Sequence, residues 1–203
     1  LDGFTVSALG TGCFEDNRLL QTVILPSGLD TIGSHAFEDT INLSNIFIPD
    51  SVIEIQDYAF SGCTFSKIVL PDSITTLGVG VFKSCPNLET VNYPKNLSSI
   101  RGQWFRNCPK MNHMAVPEGI TSLPNNVFQE CDYLVSVSLP STLTKIGSRA
   151  FDYATSLSQV NIPESVTEIG DYAFAGCAMT SIILPNGLTT LGKGVFKSCS
   201  KLT

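Results

Sequence analysis

The residues able to do chemistry are few and widely spread: seven cysteines, two histidines and 18 carboxylates among 203 residues. Six cysteines, Cys63, Cys85, Cys108, Cys131, Cys177 and Cys199, each follow a phenylalanine by three residues, and Cys13 directly precedes Phe14. A zinc or iron–sulfur centre draws thiolates to one point, commonly from C-x₂-C pairs, and the sequence contains none. His35 and His113 are far apart and offer neither a triad nor a two-histidine metal site. Gly78-x-Gly80 and Gly192-x-Gly194 lack the third glycine and the residues that would hold a phosphate. The chemistry read from these residues is therefore negative: no catalytic residue, no metal and no cofactor is expected. The seven thiols read as small, inert core fillers.

The even spacing of the cysteines is the clue to what positions them. Phenylalanine recurs at Phe14, Phe37, Phe60, Phe82, Phe105, Phe128, Phe151, Phe174 and Phe196, at intervals of 22 or 23 residues. Proline recurs 11 residues before eight of these, from Pro26 to Pro185. Periods of this length mark solenoids. The unit reads L-x-x-[VI]-x-[LIVY]-P-x-x-[LIV]-x-x-[IL]-G-x-x-[AV]-F-x-x-C, as in Leu157, Val160, Ile162, Pro163, Val166, Ile169, Gly170, Ala173, Phe174 and Cys177. Val160 and Ile162 alternate with Gln159 and Asn161, the period of a short strand with one buried face. Proline ends that strand because it cannot donate to a ladder. Val166 and Ile169 turn inward again, and the segment from Gly170 to Phe174 reads as one turn of helix or 3₁₀.

Each unit makes one coil of a right-handed solenoid, with stacked strands about 4.8 Å apart. A single coil cannot bury its apolar edge, so stability comes from its neighbours. Stacked cysteines would lie within disulfide reach but point their Cβ atoms in parallel, which argues against bridges. The glycine column (Gly10, Gly33, Gly78, Gly147, Gly170, Gly192) is interrupted by Gln56, Arg101 and Pro124. Proline locks φ near −65°, so close packing rather than positive φ explains those glycines. Residues 48–88 also match residues 162–202 at 26 of 41 positions, an offset of 114 residues that implies a duplicated block of five coils.

The expected organisation is one solenoid over 1–203. Eight complete repeats run from about Leu20 to Ser200, with partial ones beginning at Leu1 and Leu202. This reads as a segment of a longer array. Residues 1–30 show no signal peptide pattern, and no apolar run is long enough to span a membrane.

The core I-P-x-S-V-T-x-I-G-x-x-A-F-x-x-C, clearest at Ile162–Gly170 and Ala173–Cys177, resembles the BspA-like, or treponemal-type, leucine-rich repeat family. The resemblance covers essentially the whole chain. It implies a curved α/β leucine-rich-repeat solenoid, with a parallel sheet on its concave face and short helical or 3₁₀ turns on its convex side. It also implies a role in large surface or secreted proteins that adhere to host proteins or neighbouring cells. Departures such as Pro124, Thr40, Ala154 and Trp104 from their columns read as tolerated variants.

Within that framework two surfaces are candidates for binding a protein or glycan, including a host extracellular-matrix protein. The first is the outward strand face, with Ile24, Asn45, Phe47, Lys67, Val69, Asn92 and His113; Ile24, Phe47 and Val69 form an apolar strip on consecutive coils. The second is a basic patch of Lys95, Arg101, Trp104, Arg106 and Lys110. Charge is segmented: residues 1–60 carry nine acids and one base (net −8), 61–115 net +4, 116–175 net −5 and 176–203 net +3. The overall charge of −6 argues against a nucleic-acid partner. The expectation is a non-enzymatic binding module of a cell-surface or secreted adhesin. The alternatives are a structural spacer without its own ligand and an intracellular partner-binding scaffold. Asn42-Leu43-Ser44 and Asn96-Leu97-Ser98 are sequons, relevant only on a eukaryotic secretory route.

Overall fold

A computed structural model describes residues 6–97 and 99–203, so Leu1 and Ser98 of the second sequon lie outside the described residues. The chain divides into two compact units, residues 1–98 and 99–203. Each is built from stacked coils joined by parallel β pairs.

Unit 1 contains β1 (Ala8–Leu9), β2 (Thr31–Ile32), β3 (Glu54–Ile55), β4 (Lys67–Ile68), β5 (Thr76–Leu77) and β6 (Thr90–Val91). Two parallel sheets result, ordered β1-β2-β3-β5 and β4-β6. Unit 2 contains β7 (His113–Ala115), β8 (Ser122–Leu123), β9 (Ser136–Ser138), β10 (Lys145–Ile146), β11 (Gln159–Val160), β12 (Glu168–Ile169) and β13 (Thr190–Leu191). Its sheets are ordered β11-β9-β7 and β13-β12-β10-β8. The strand anticipated before each column proline forms before five of the eight, as β4, β6, β7, β9 and β11, whereas the segments before Pro26, Pro49 and Pro185 are extended without a ladder. The residues read only as a second inward turn, such as Glu168–Ile169, form a ladder of their own. Between the two ladders each proline carbonyl accepts the N–H three residues on, as from Val166 to Pro163 at 3.0 Å, closing a β-turn.

The core is the phenylalanine column. Phe14, Phe37, Phe60 and Phe82 stack in unit 1 with centroids 5.1, 5.3 and 6.0 Å apart. Phe105, Phe128, Phe151, Phe174 and Phe196 stack in unit 2 at 5.7, 5.4, 5.1 and 6.0 Å. Near-parallel rings at such separations add roughly 0.5–1.5 kcal/mol per pair beyond the area they bury. Cys63, Cys85, Cys108, Cys131 and Cys177 fill the slot beside this column as buried thiols, whereas Cys199 is half-buried and Cys13, expected to be a core filler, is exposed. Cys63, Cys131 and Cys177 donate to the carbonyls of Phe37, Phe105 and Phe151, 26 residues earlier, at 3.2, 3.0 and 3.2 Å. Burial pushes the Cys63 thiol up to about 12 and raises those of Cys131 and Cys177, so these sulfurs stay protonated and unreactive at neutral pH.

The helical turns are the correction. No α- or 3₁₀-helix occurs among the described residues. Each phenylalanine sits in a six-residue turn with a positive φ two residues before it and two residues after it. His35 (57°) and Asp39 (55°) flank Phe37, and Arg149 (56°) and Tyr153 (57°) flank Phe151. Left-handed residues so closely spaced prevent a helix from propagating. The alternation aims every second N–H at the neighbouring coil. His35, Phe37 and Asp39 donate to the carbonyls of Asp57, Ala59 and Ser61 at 2.9, 2.8 and 2.9 Å, while Ala36, Glu38 and Thr40 bond back within their own turn. The turn side is thus a hydrogen-bonded ladder as well.

Close packing does account for the glycine column. A Cβ on Gly33, Gly147 or Gly170 would lie 2.5–2.6 Å from the backbone of the preceding coil, and none of these glycines has a positive φ. Where Gln56 replaces glycine, its Oε1 accepts the Ser34 N–H at 3.2 Å. The carboxylates of Asp57 and Asp171 accept the backbone N–H of Val79 and Lys193 in the next coil, both at 2.7 Å.

Candidate functional site

The strand face of unit 1 carries most of the expected site. Burial alternates along residues 45–48 and 67–70 as it would in a strand, so the residues flanking buried Ile46, Ile48, Ile68 and Leu70 point outward. Ile24, Phe47 and Val69 are 96%, 75% and 59% exposed on three consecutive coils. Asn45 and Lys67 are exposed beside them. Phe47, Asn45, Asp50, Lys67 and Val69 border an open cavity of about 280 Å³, where an apolar floor meets one acid and one base. Asn92 is exposed but engaged: its side-chain amide exchanges two hydrogen bonds with the N–H and carbonyl of Leu70, both at 2.7 Å. It extends the sheet edge and limits the strip to the coils before it.

His113 belongs to unit 2, where its Nδ1 lies 2.8 Å from Ser136 Oγ. The unit 2 strand face continues with Ala115, Ser136, Ser138, Gln159 and Asn161 and becomes apolar only at Ile183.

The basic patch divides. Lys95 lies in unit 1 with its ammonium 2.5 Å from Asp72, an ion pair that holds the Asp72 carboxyl below its ordinary range. Arg101 and Lys110 are exposed in unit 2, and Arg106 lies 3.8 Å from Glu130. Trp104 is corrected: at 1% exposure it packs edge-on against Phe105 at 6.1 Å, where the indole fills core volume and is closed to a partner. Both sequon asparagines are used structurally, donating to the carbonyls of Arg18 and Asp72 in preceding coils.

The turn side holds groups the sequence reading did not connect. In unit 2 a cavity of about 220 Å³ is lined by Arg149, Tyr153, Tyr172 and Lys197. Arg149 and Lys197 lie 5.6 and 5.9 Å from the Tyr172 ring centre, within cation–π range. In unit 1 the donor atoms of Glu15, His35 and Glu38 lie within 4.8 Å of one another. Looking for pairs of histidines or cysteines missed this grouping; the only signal was a histidine three residues before a glutamate, repeated against a glutamate one coil earlier.

A model of the BspA type leucine rich repeat region matches six copies over residues 7–135 and 121–203. The chain belongs to that family. A leucine-rich repeat protein from Bacteroides ovatus superposes with a TM-score of 0.83 and 29% identity, covering 98% of this chain and 58% of that one. A leucine-rich repeat protein of T. pallidum gives 0.73 and 33%, covering 78% and 75%. A leucine rich cell surface protein from Faecalibacterium prausnitzii gives 0.68 and 27%, covering 95% and 55%. No curated protein matches. The chain therefore spans 58% and 55% of the B. ovatus and F. prausnitzii proteins. As a BspA-type module it is a leucine-rich-repeat solenoid, and no helix among the described residues is long and apolar enough to cross a membrane.

Proposed function

We propose that this BspA-type module is a non-enzymatic binding element of a cell-surface or secreted protein, and that the outward strand face of unit 1 takes a protein ligand. The observation that carries the reading is the exposure of Ile24, Phe47 and Val69 on successive coils, the last two bordering the 280 Å³ cavity. Large apolar side chains held on stacked coils lose little freedom on binding, which suits them as anchors. Lys67 and Asp50 at the cavity edge supply the polar rim. The surface setting is supported by the F. prausnitzii neighbour, described as a cell surface protein. Adhesion to host matrix proteins is the form of the reading we favour, with the whole chain acting as one solenoid. Arg101, Arg106 and Lys110 form a secondary contact for an acidic protein or sulfated glycan.

The test is binding of the purified chain to matrix proteins and glycans at two salt concentrations, beside Phe47→Glu. A ligand lost at least about tenfold in the variant and insensitive to salt supports the strip. A salt-sensitive ligand retained by Phe47→Glu moves the site to the basic residues. Absence of any ligand favours a spacer.

A further inference from the structure

The turn side of unit 1 places three metal-ligating side chains together on two adjacent coils. His35 takes a left-handed backbone conformation (φ 57°), and its ring is stacked on Tyr58 at 5.3 Å, which fixes the direction of its nitrogens. Its Nδ1 meets the carboxylate of Glu38 three residues on. Glu15, from the preceding coil, folds its carboxylate back over Gly12: a Cβ at that glycine would lie 2.6 Å from Glu15 Oε2. Gly12 thus leaves open the room beneath His35 that the carboxylate occupies. All three donor atoms lie within 4.8 Å of one another.

The duplicated coils provide an internal reference. At an offset of 114 residues, Glu15, His35 and Glu38 correspond to Gln129, Arg149 and Asp152. There the single carboxylate is matched with donors, since Asp152 Oδ2 receives Gln129 Nε2 at 3.3 Å and lies 3.9 Å from Arg149 Nε. Unit 1 has the same backbone with acceptors in place of donors: two carboxylates and an imidazole where unit 2 has one carboxylate, an amide and a guanidinium. The position that Arg149 holds in unit 2 is taken by His35 in unit 1.

We propose that Glu15, His35 and Glu38 form a binding site for a first-row divalent metal ion of the zinc class. One imidazole nitrogen and two carboxylate oxygens are a suitable donor set for such an ion. Ligands at about 2.0–2.2 Å from the ion in tetrahedral array stand about 3.4 Å apart, so side-chain rotations must part His35 Nδ1 from the Glu38 carboxylate it now contacts and bring the Glu15 oxygen to the same spacing. A water completes the shell on the solvent side. The ion would clamp the first two coils of the described chain together, independently of the strand face.

The experiment is a titration of the intact, reduced chain with Zn²⁺ by calorimetry and with Co²⁺ by absorption spectroscopy. The parent, Cys13→Ser, His35→Ala and Glu38→Gln variants are run alongside. The expected result is one saturable site in the parent and in Cys13→Ser, with a Co²⁺ spectrum free of thiolate charge-transfer bands. His35→Ala should weaken it about 100-fold and Glu38→Gln at least about tenfold. Zn²⁺ should also raise the melting temperature of the parent and not that of His35→Ala; the variants' melts without metal verify that they fold. Absence of saturable binding up to about 1 mM ion, unchanged affinity in His35→Ala, or a thiolate band would each overturn the site.

Discussion

Two ledges on the turn side of this protein share a backbone and differ in chemistry. In unit 1 His35, Tyr58 and Gly62 have φ of 57°, 57° and 72°; in unit 2 Arg149, Tyr172 and Gly176 have 56°, 56° and 73°. The ring geometry is also repeated. Lys83 lies 5.5 Å from the Tyr58 ring centre and Lys197 lies 5.9 Å from that of Tyr172. Around these shared features Glu15, His35 and Glu38 make one ledge rich in acceptors, whereas Arg149, Asp152, Tyr153 and Lys197 line a cationic and aromatic cavity on the other. The backbone is held by N–H groups bonded to the neighbouring coil and by the phenylalanines beneath, so the outward side chains can vary without altering the scaffold. A repeat protein can therefore present unlike chemistry at equivalent sites.

The largest test of that shared scaffold is to empty it under each ledge. Phe37→Ala and Phe151→Ala should each cost about 3–5 kcal/mol in denaturant unfolding, and near-equal losses are expected if the ledges rest on equivalent cores. A loss below about 1 kcal/mol would mean the column is not a packed core. The same data examine the single-solenoid expectation, which requires one transition that either substitution moves. Two transitions, each sensitive to only one substitution, would make the units separate domains.

A smaller effect tests whether the side chains alone decide the chemistry. Introducing Gln129→Glu and Arg149→His together should give unit 2 a Zn²⁺ site, seen as at least about a tenfold gain in affinity in a chain whose own site is removed by His35→Ala. Failure to gain binding would show that the ledges differ in more than these residues.

The smallest expected effect is a pH dependence. Burial raises the Asp152 carboxyl above its ordinary value, and Arg149 offsets this only in part. A raised carboxyl binds its proton more tightly in the folded chain, so ionising it lowers stability as the pH climbs from about 3.8, the ordinary aspartate value. Asp152→Asn should therefore raise the melting temperature slightly at pH 7 and leave it unchanged near pH 3. An Asp152→Asn melt lower at pH 7 would show that the contacts with Gln129 and Arg149 outweigh desolvation.

Much of the fold was legible because it is written many times over. The phenylalanine, proline and cysteine columns each repeat at one spacing, and a pattern recurring eightfold outweighs any local ambiguity. Gly33, Gly147 and Gly170 were read correctly as close-packing residues because Pro124 in the same column excluded a positive φ. Ile24, Phe47 and Val69 were placed outward by alternation alone. Four things were not legible. The turns looked helical because nothing local marks His35, Tyr58 or Arg149 as left-handed; that conformation is held by hydrogen bonds to another coil. Trp104 was grouped with the basic patch, whereas its burial depends on the volume available beside Phe105. The grouping of Glu15 with His35 and Glu38 needs coils brought into register, and Asn92 needed the same to show its hold on Leu70.

The sequence by itself determined the coil length, the buried columns, the outward strip and the family, because periodicity is a property of the chain read against itself. Tertiary structure decided which side chains meet. Residues about 23 apart become neighbours only when coils stack, and the hydrogen bonds between those coils set the left-handed turns, the second ladder and the two unlike ledges.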